Sequence, residues 1–271
     1  MRKIGMIVPT ADNSFFSSLI HQAEKCLSEQ GIILMVADSA NSAEREKEVL
    51  QEFASLCEGI LDVSGLSELK DEVAEDYPLV FVDRKPLSER EIPWVGNDDS
   101  LAMEEATAFL IEKGCENILL MPGFIAEHQN NPRVIGYRKA LEENGLIFDP
   151  SYILNRKGVS SSEEETAELV LSCIKEGRKI DGIITSSDRA AFGAVKGLGR
   201  VGKYVPEDVK LISFDNSPYS LMASPSVTSI DRNSRKIAEE ACKVLLAVID
   251  KKQVPKETLV PVSLVKRDST R

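Results

Sequence analysis

The chain has 271 residues, 42% hydrophobic and 28% charged, a composition that fits a folded protein with a real core and excludes a disordered or fibrous one. Its formal net charge of −11 repels phosphate backbones, and no basic run or aromatic-plus-basic stripe offsets it, so by itself the chain is a poor binder of nucleic acid. At roughly 150 residues per domain the length suggests about two domains.

Short apolar runs alternate with helical patterns almost from end to end. The first half reads as strand 4–8, helix 14–30 ended by Gly31, strand 32–37, helix 42–56, strand 59–63 and a short helix near 66–75. Strand 79–82, a short strand 94–96 and helix 100–113, stopped by Gly114, follow. The rhythm then restarts with strand 117–121, helix 132–144, short strand 152–154, helix 161–176, strand 182–185, helix 188–198 and strand 209–214. A crossing segment 226–230, a long helix 234–250 and two short strands near 258–265 close the chain.

Strands that are apolar throughout and joined by helices form parallel sheets covered on both faces. Two such runs predict an α/β protein of two doubly wound parallel-sheet lobes. The late helix and strands, placed after the second run is complete, predict several crossovers between the lobes. The amino-terminal lobe is expected to hold residues 1–115 plus 233–254, and the carboxy-terminal lobe 116–232 plus 255–271.

The five cysteines, Cys26, Cys57, Cys115, Cys173 and Cys242, are scattered and show no CxxC spacing, so reduced thiols are expected rather than a disulfide or metal framework. The basic start MRKIGMIVP is too short for a signal sequence, and no apolar run approaches the ~18 residues of a membrane span. A cytoplasmic protein is expected.

Several motifs are weighed and set aside. Gly197–Gly202 fits GxGxxG, but a helix precedes it where a dinucleotide site needs a strand, so the glycines read as a helix end and turn. His21 and His128 lack metal spacing, and there is no phosphate loop, no GxSxG elbow and no nucleophile beside a base. No cofactor, metal or catalytic function is expected. Asp98 and Asp99 stand at a helix start, where capping explains them.

In open parallel sheets ligands bind beyond the carboxyl ends of the strands. The residues there are rich in Asp, Asn, Ser and Arg, the chemistry of sugar recognition. After the first strand come Asn13, Phe15 and Phe16; adjacent rings on a helix face different ways, so at least one is expected to be available to ligand. Arg133 opens a helix whose dipole it opposes, which points to a ligand role rather than local stability. Asp215 ends a strand at the carboxyl edge, and His128 lies in a post-strand loop.

Taken together these segments resemble the LacI/GalR family of transcription regulators. The resemblance rests on IGMIVPTADNSFF (4–16), VFVDR (80–84), VGNDDSLAMEEATAFLIEKGCENILLMPG (95–123) and PRVIGYRKALEENGL (132–146). It continues through DGIITSSDRAAFGAVKGL (181–198), VPEDVKLISFDNS (205–217), PSVTSID (225–231) and VKRDST (265–270), in order across essentially the whole chain. It implies a periplasmic-binding-protein-like fold in which a small polar effector, a sugar or related polyol or nucleoside, is gripped in a cleft between the lobes. At the matching positions it implies ligand contacts for Asn13, Phe15, Phe16, Asp83, His128, Gln129, Arg133, Asp188 and Asp215. It also implies a homodimer that meets operator DNA through an amino-terminal helix-turn-helix domain, and lobe closure as the means of control. No such domain precedes the first strand here, which reads as a fragment or as a core without its DNA module. Val159 stands where many family cores carry a large aromatic, so the sugar cannot be carried over. A transport binding protein of the same fold is the alternative reading.

Overall fold

The structure, a computed structural model, describes residues 2–66, 69, 72–85, 90–123, 131–154 and 163–271. Its elements run β1 (Lys3–Val8), α1 (Ser14–Ser28), β2 (Ile33–Asp38), α2 (Ala43–Leu56), β3 (Ile60–Asp62), β4 (Leu79–Val82), β5 (Trp94–Gly96) and α3 (Asp99–Glu112). They continue with β6 (Ile118–Met121), α4 (Pro132–Glu143), α5 (Glu163–Lys175), β7 (Gly182–Thr185), α6 (Asp188–Gly199), β8 (Lys210–Phe214) and α7 (Pro218–Met222). The last are β9 (Thr228–Asp231), α8 (Ser234–Ile249), β10 (Glu257–Leu259) and β11 (Ser263–Val265). They form two compact units, Met1–Asn97 with Asn233–Pro261 and Asp98–Arg232 with Val262–Arg271, so the chain passes between units after Asn97, Arg232 and Pro261.

The first unit is built on one wholly parallel sheet in the order β10-β5-β4-β3-β1-β2. Side chains alternate across a strand, so β1 sends Ile4, Met6 and Val8 to one layer and Ile7 to the other. The first layer is closed by α1 and α8 through Leu19, Leu27, Ile237 and Leu245, the second by α2 through Val49, Leu50 and Phe53. Each such fully buried aliphatic side chain contributes roughly 1.5–3 kcal/mol. Gly5 is required where it stands: a Cβ there would sit 2.3 Å from the Phe53 ring.

The second unit carries the sheet β11-β9-β8-β7-β6, parallel except for the antiparallel edge strand β11. Met103, Leu110, Val134 and Tyr137 from α3 and α4 cover one face, and Val170, Ala191, Ala194 and Leu198 from α5 and α6 the other. The 3-10 turn Asp268–Thr270 returns to this sheet, where Ser269 Oγ donates to the Leu211 carbonyl at 2.5 Å.

The two doubly wound lobes expected from the sequence are present, with differences in detail. Helix α3 belongs to the second unit rather than the first, because it packs on α4 so closely that a Cβ at Gly136 would fall 2.0 Å from the Ser100 carbonyl oxygen. Residues 255–261 belong to the first unit, because β10 extends its sheet beside β5. The segment 226–230 is an internal strand, β9, rather than a bare crossing. Residues 152–154 make one bridge, Ile153 to Leu120, after a 3-10 turn at Pro150–Tyr152. Part of the expected helix near 66–75 lies outside the described residues, and the described part is not helical.

Candidate functional site

In each unit the carboxyl edge of the sheet is a mesh of polar side chains on sharply turned loops. In the first unit Asn13 caps α1, its Oδ1 accepting from the Phe15 N–H at 2.8 Å. Asp38 accepts from the backbone N–H groups of Ala11 at 2.8 Å and Ala40 at 2.7 Å, tying the loop after β1 to the loop after β2. Arg84 donates to Asn41 Oδ1 at 3.1 Å and to the Ser64 carbonyl at 3.2 Å, which brings in the loops after β3 and β4. Asp83 adopts a left-handed φ of 68°, and its carbonyl accepts from Trp94 Nε1 at 3.2 Å.

Phe15 and Phe16 depart from expectation. Both are buried in the core of the first unit, because the rings meet edge to face at 5.6 Å and enter the same apolar cluster. Beneath this edge Asp62 and Glu46 are both fully buried; Asp62 Oδ1 accepts from the Ser64 and Gly65 N–H groups, and Glu46 from the Leu66 N–H. Burial pushes the Asp62 carboxyl well above the usual carboxylate range, and the charge of Glu46 adds to the rise.

In the second unit the centre is Arg133, capped into the first turn of α4 by Asn131 and only 8% exposed. Its guanidinium stacks on the Phe214 ring at 4.1 Å, and its Nε donates to Asp99 Oδ2 at 2.9 Å. Nη1 reaches the carbonyls of Pro122 and Ser186 at 3.4 and 3.3 Å. Nη2 makes no hydrogen bond among the described residues. Arg232 lies 3.8 Å from Asp99 Oδ1 and 3.8 Å from Asp215 Oδ1, so two arginines and two carboxylates alternate. Burial pulls the Asp99 carboxyl upward, but the Arg133 and Arg232 charges outweigh it and leave it below the usual range.

Of the residues expected at the site, the structure brings Arg133 and Asp215 into this one charged row. Asp188, by contrast, is 2% exposed and turned into the unit, where its oxygens accept from Ser213, Ser229 and Ser217. Asn13 and Asp83 stand at the edge of the first unit's sheet. His128 and Gln129 lie outside the described residues, as does Val159. Gly197 belongs to α6, where a Cβ would be 2.7 Å from the Ala167 carbonyl oxygen: it is a helix-packing glycine, and Gly202 makes the turn at φ 71°. The residues missed were Asp99 and Arg232. The signal for Asp99 was present, since an arginine opposing a helix dipole calls for a carboxylate nearby.

Two parallel-sheet units, crossed three times by the chain and each ending in a polar, pre-wired carboxyl edge, define an α/β ligand-binding protein. The periplasmic binding protein-like domain family matches residues 107–270, more than half of the chain, and the chain belongs to that family. Within it, the chain is an effector-binding core of the LacI/GalR regulator type. The ribose operon repressor of Bacillus subtilis is 28% identical over 273 residues, covering 100% of this chain and 81% of the repressor. The transcription regulator CcpA of Lactococcus lactis superposes with a TM-score of 0.87 at 26% identity, with 100% of both chains covered. A periplasmic binding protein/LacI transcriptional regulator from Alkaliphilus metalliredigens, complexed with D-xylulofuranose, gives 0.87 at 25% identity, also over 100% of both chains.

Proposed function

We propose that this chain senses a small polyhydroxylated effector, a sugar or a related polyol or nucleoside, on behalf of a transcription repressor. The observation that carries the reading is Arg133: a buried guanidinium, stacked on Phe214 and paired with Asp99, whose Nη2 makes no hydrogen bond among the described residues and is offered to a ligand oxygen. Asp215, on a strained turn in the same row, supplies an acceptor for hydroxyl groups. The sugar held by the Alkaliphilus relative supports the ligand class.

The effector acts by binding one conformation better than another, which changes the operator affinity of a helix-turn-helix module working with this acidic core. The role is binding rather than catalysis, in the cytoplasm; among the described residues no helix is long and apolar enough to cross a membrane. A homodimer would cover apolar groups now exposed, such as Leu221 and Met222 of α7, which are 65% and 80% exposed. Light scattering over a concentration series measures that state directly.

The test of the effector is a thermal-shift screen of pentoses, hexoses, disaccharides, polyols and nucleosides, followed by calorimetric titration. Arg133→Ala and Asp215→Ala are each expected to weaken the selected compound by about 10–100-fold. A screen in which no compound moves the melting temperature, or alanine variants that bind like the parent, would sink the reading.

A further inference from the structure

We infer that Asp188 is a positioning residue: it holds the strained turn that presents Asp215 and does not itself touch effector. The inference rests on the reading of Asp215 as an effector contact.

The turn after β8 is costly to hold. Asp215 has φ 100° and Asn216 φ 49°, and residues kept in such regions persist only where their surroundings over-determine them. The surroundings do so here. The Asp215 N–H donates to the Ile230 carbonyl at 2.9 Å. The Asn216 N–H donates to Ser229 Oγ at 3.0 Å, and Ser229 Oγ donates onward to Asp188 Oδ1 at 2.7 Å. The Ser217 N–H donates directly to Asp188 Oδ2 at 2.5 Å. Two of the turn's three successive N–H groups therefore end on one carboxylate, and Ser213 Oγ donates to it as well.

The three donors converge on the two oxygens of one side chain, and a carboxylate accepts at both. Its place at the first position of α6, after the Ser187 cap, sets the charge against the positive end of the helix dipole. Asp188 is 2% exposed, so it has no face left for a solute. From the other side Asn216 Oδ1 accepts from Arg267 at 2.5 Å, and its Nδ2 donates to Asp231 at 3.0 Å. The turn is thus clamped from within by Asp188 and from without by Arg267.

The roles of anchor and contact predict different variants. In Asp188→Asn the amide oxygen can face the Ser217 N–H while its NH2 donates to the Ser213 and Ser229 hydroxyls, which rotate to accept. Asp188→Ala leaves all three donors without a partner. Hydrogen exchange of peptides covering 214–219 is expected to quicken at least ~10-fold in Asp188→Ala, to stay within ~3-fold of the parent in Asp188→Asn, and to be unmoved in Val209→Ala, a buried control just before the start of β8. Titration with D-ribose and D-xylulose is expected to show an affinity loss of at least ~10-fold in Asp188→Ala, largely rescued in Asp188→Asn. Unchanged exchange in Asp188→Ala, an equal rise in Val209→Ala, or an asparagine variant as weak as the alanine one each overturns the inference. Should Asp215→Ala bind these sugars like the parent, or should neither sugar bind the parent, the effector reading fails instead, and the exchange data still decide whether Asp188 anchors the turn.

Discussion

Arg133 donates from Nε to Asp99 Oδ2 at 2.9 Å, and this bond joins the first turn of α4 to the first turn of α3. An arginine at a helix start opposes the dipole, and an aspartate at a helix start is favoured by it, so the pair offsets one cost with one gain. The guanidinium is thereby fixed in plane over Phe214 before any ligand arrives.

Asp99→Asn is expected to weaken effector binding, because it removes the charge that orients Arg133, and to lower stability by about 1–3 kcal/mol. Arg133→Lys should do no better than Arg133→Ala in binding, since an ammonium cannot reproduce the planar fork and the ring stacking together. Calorimetric titration and urea denaturation measure both effects; a lysine variant with parental affinity would contradict this account.

The Asp62 carboxyl gives the first unit a pH dependence. Its folded value lies well above the ordinary one, so the folded state binds more protons across the interval between them. Stability therefore falls as pH rises from the usual carboxylate range through the raised value, and is flat above it. Asp62→Asn carries no charge to desolvate and can still accept from the Ser64 and Gly65 N–H groups. It is expected to raise stability by about 1 kcal/mol at neutral pH and to flatten the profile. Melting temperatures of both proteins from pH 4 to 9 give the answer; parallel curves would rule it out.

Gly136→Ala should destabilise the second unit by about 3 kcal/mol, since the added methyl would lie 2.0 Å from a backbone oxygen that cannot move alone. Gly199→Ala, where a Cβ meets nothing within 4 Å, should be neutral or stabilise by about 0.5–1 kcal/mol. Denaturant midpoints distinguish the two, and equal effects would show that helix spacing in this unit is not set by Gly136.

Thiol chemistry should be sparse in the native protein. Cys57, Cys115, Cys173 and Cys242 are buried, and Cys26 is half-buried. Burial pushes the Cys115 thiol up to about 11 and the Cys242 thiol up to about 12. Iodoacetamide at pH 8 is expected to modify Cys26 alone and slowly, against all five positions after denaturation, as read by intact mass. Rapid native labelling of Cys242 would mean that α1 and α8 separate in solution.

The two-sheet rhythm was legible because parallel strands buried on both faces, such as β4 and β6, are unbroken apolar runs. Which sheet a helix covers was not legible for α3, since a helix at a crossover can fold back on either lobe. The deciding feature, the Gly136 contact with Ser100, links residues far apart in sequence. Asp215 stands out in the sequence because it ends a strand at the carboxyl edge, and Arg133 because it opposes a helix dipole; that the two share one charged row was not legible, since Asp99 and Arg232 link them across the fold. The inward turn of Asp188 was not legible, because a residue that follows a strand can face the edge or the interior, and only the three donors on β8, β9 and the turn set its direction. The burial of both Phe15 and Phe16 was missed because helical geometry separates adjacent side chains, while their edge-to-face contact carries both rings into one cluster.

The return of α8 and β10 to the first unit has a consequence for synthesis on the ribosome. Ile237, Ala241 and Leu245 close one face of a sheet whose first strand begins at Lys3, and β10 supplies its last edge. The β1 to β5 strands thus emerge long before the helix that shields them. The nascent chain carries an apolar face that α1 covers only in part through most of translation, and a messenger cut short before residue 234 yields a product with the remainder of that face exposed, a substrate for chaperones and proteases.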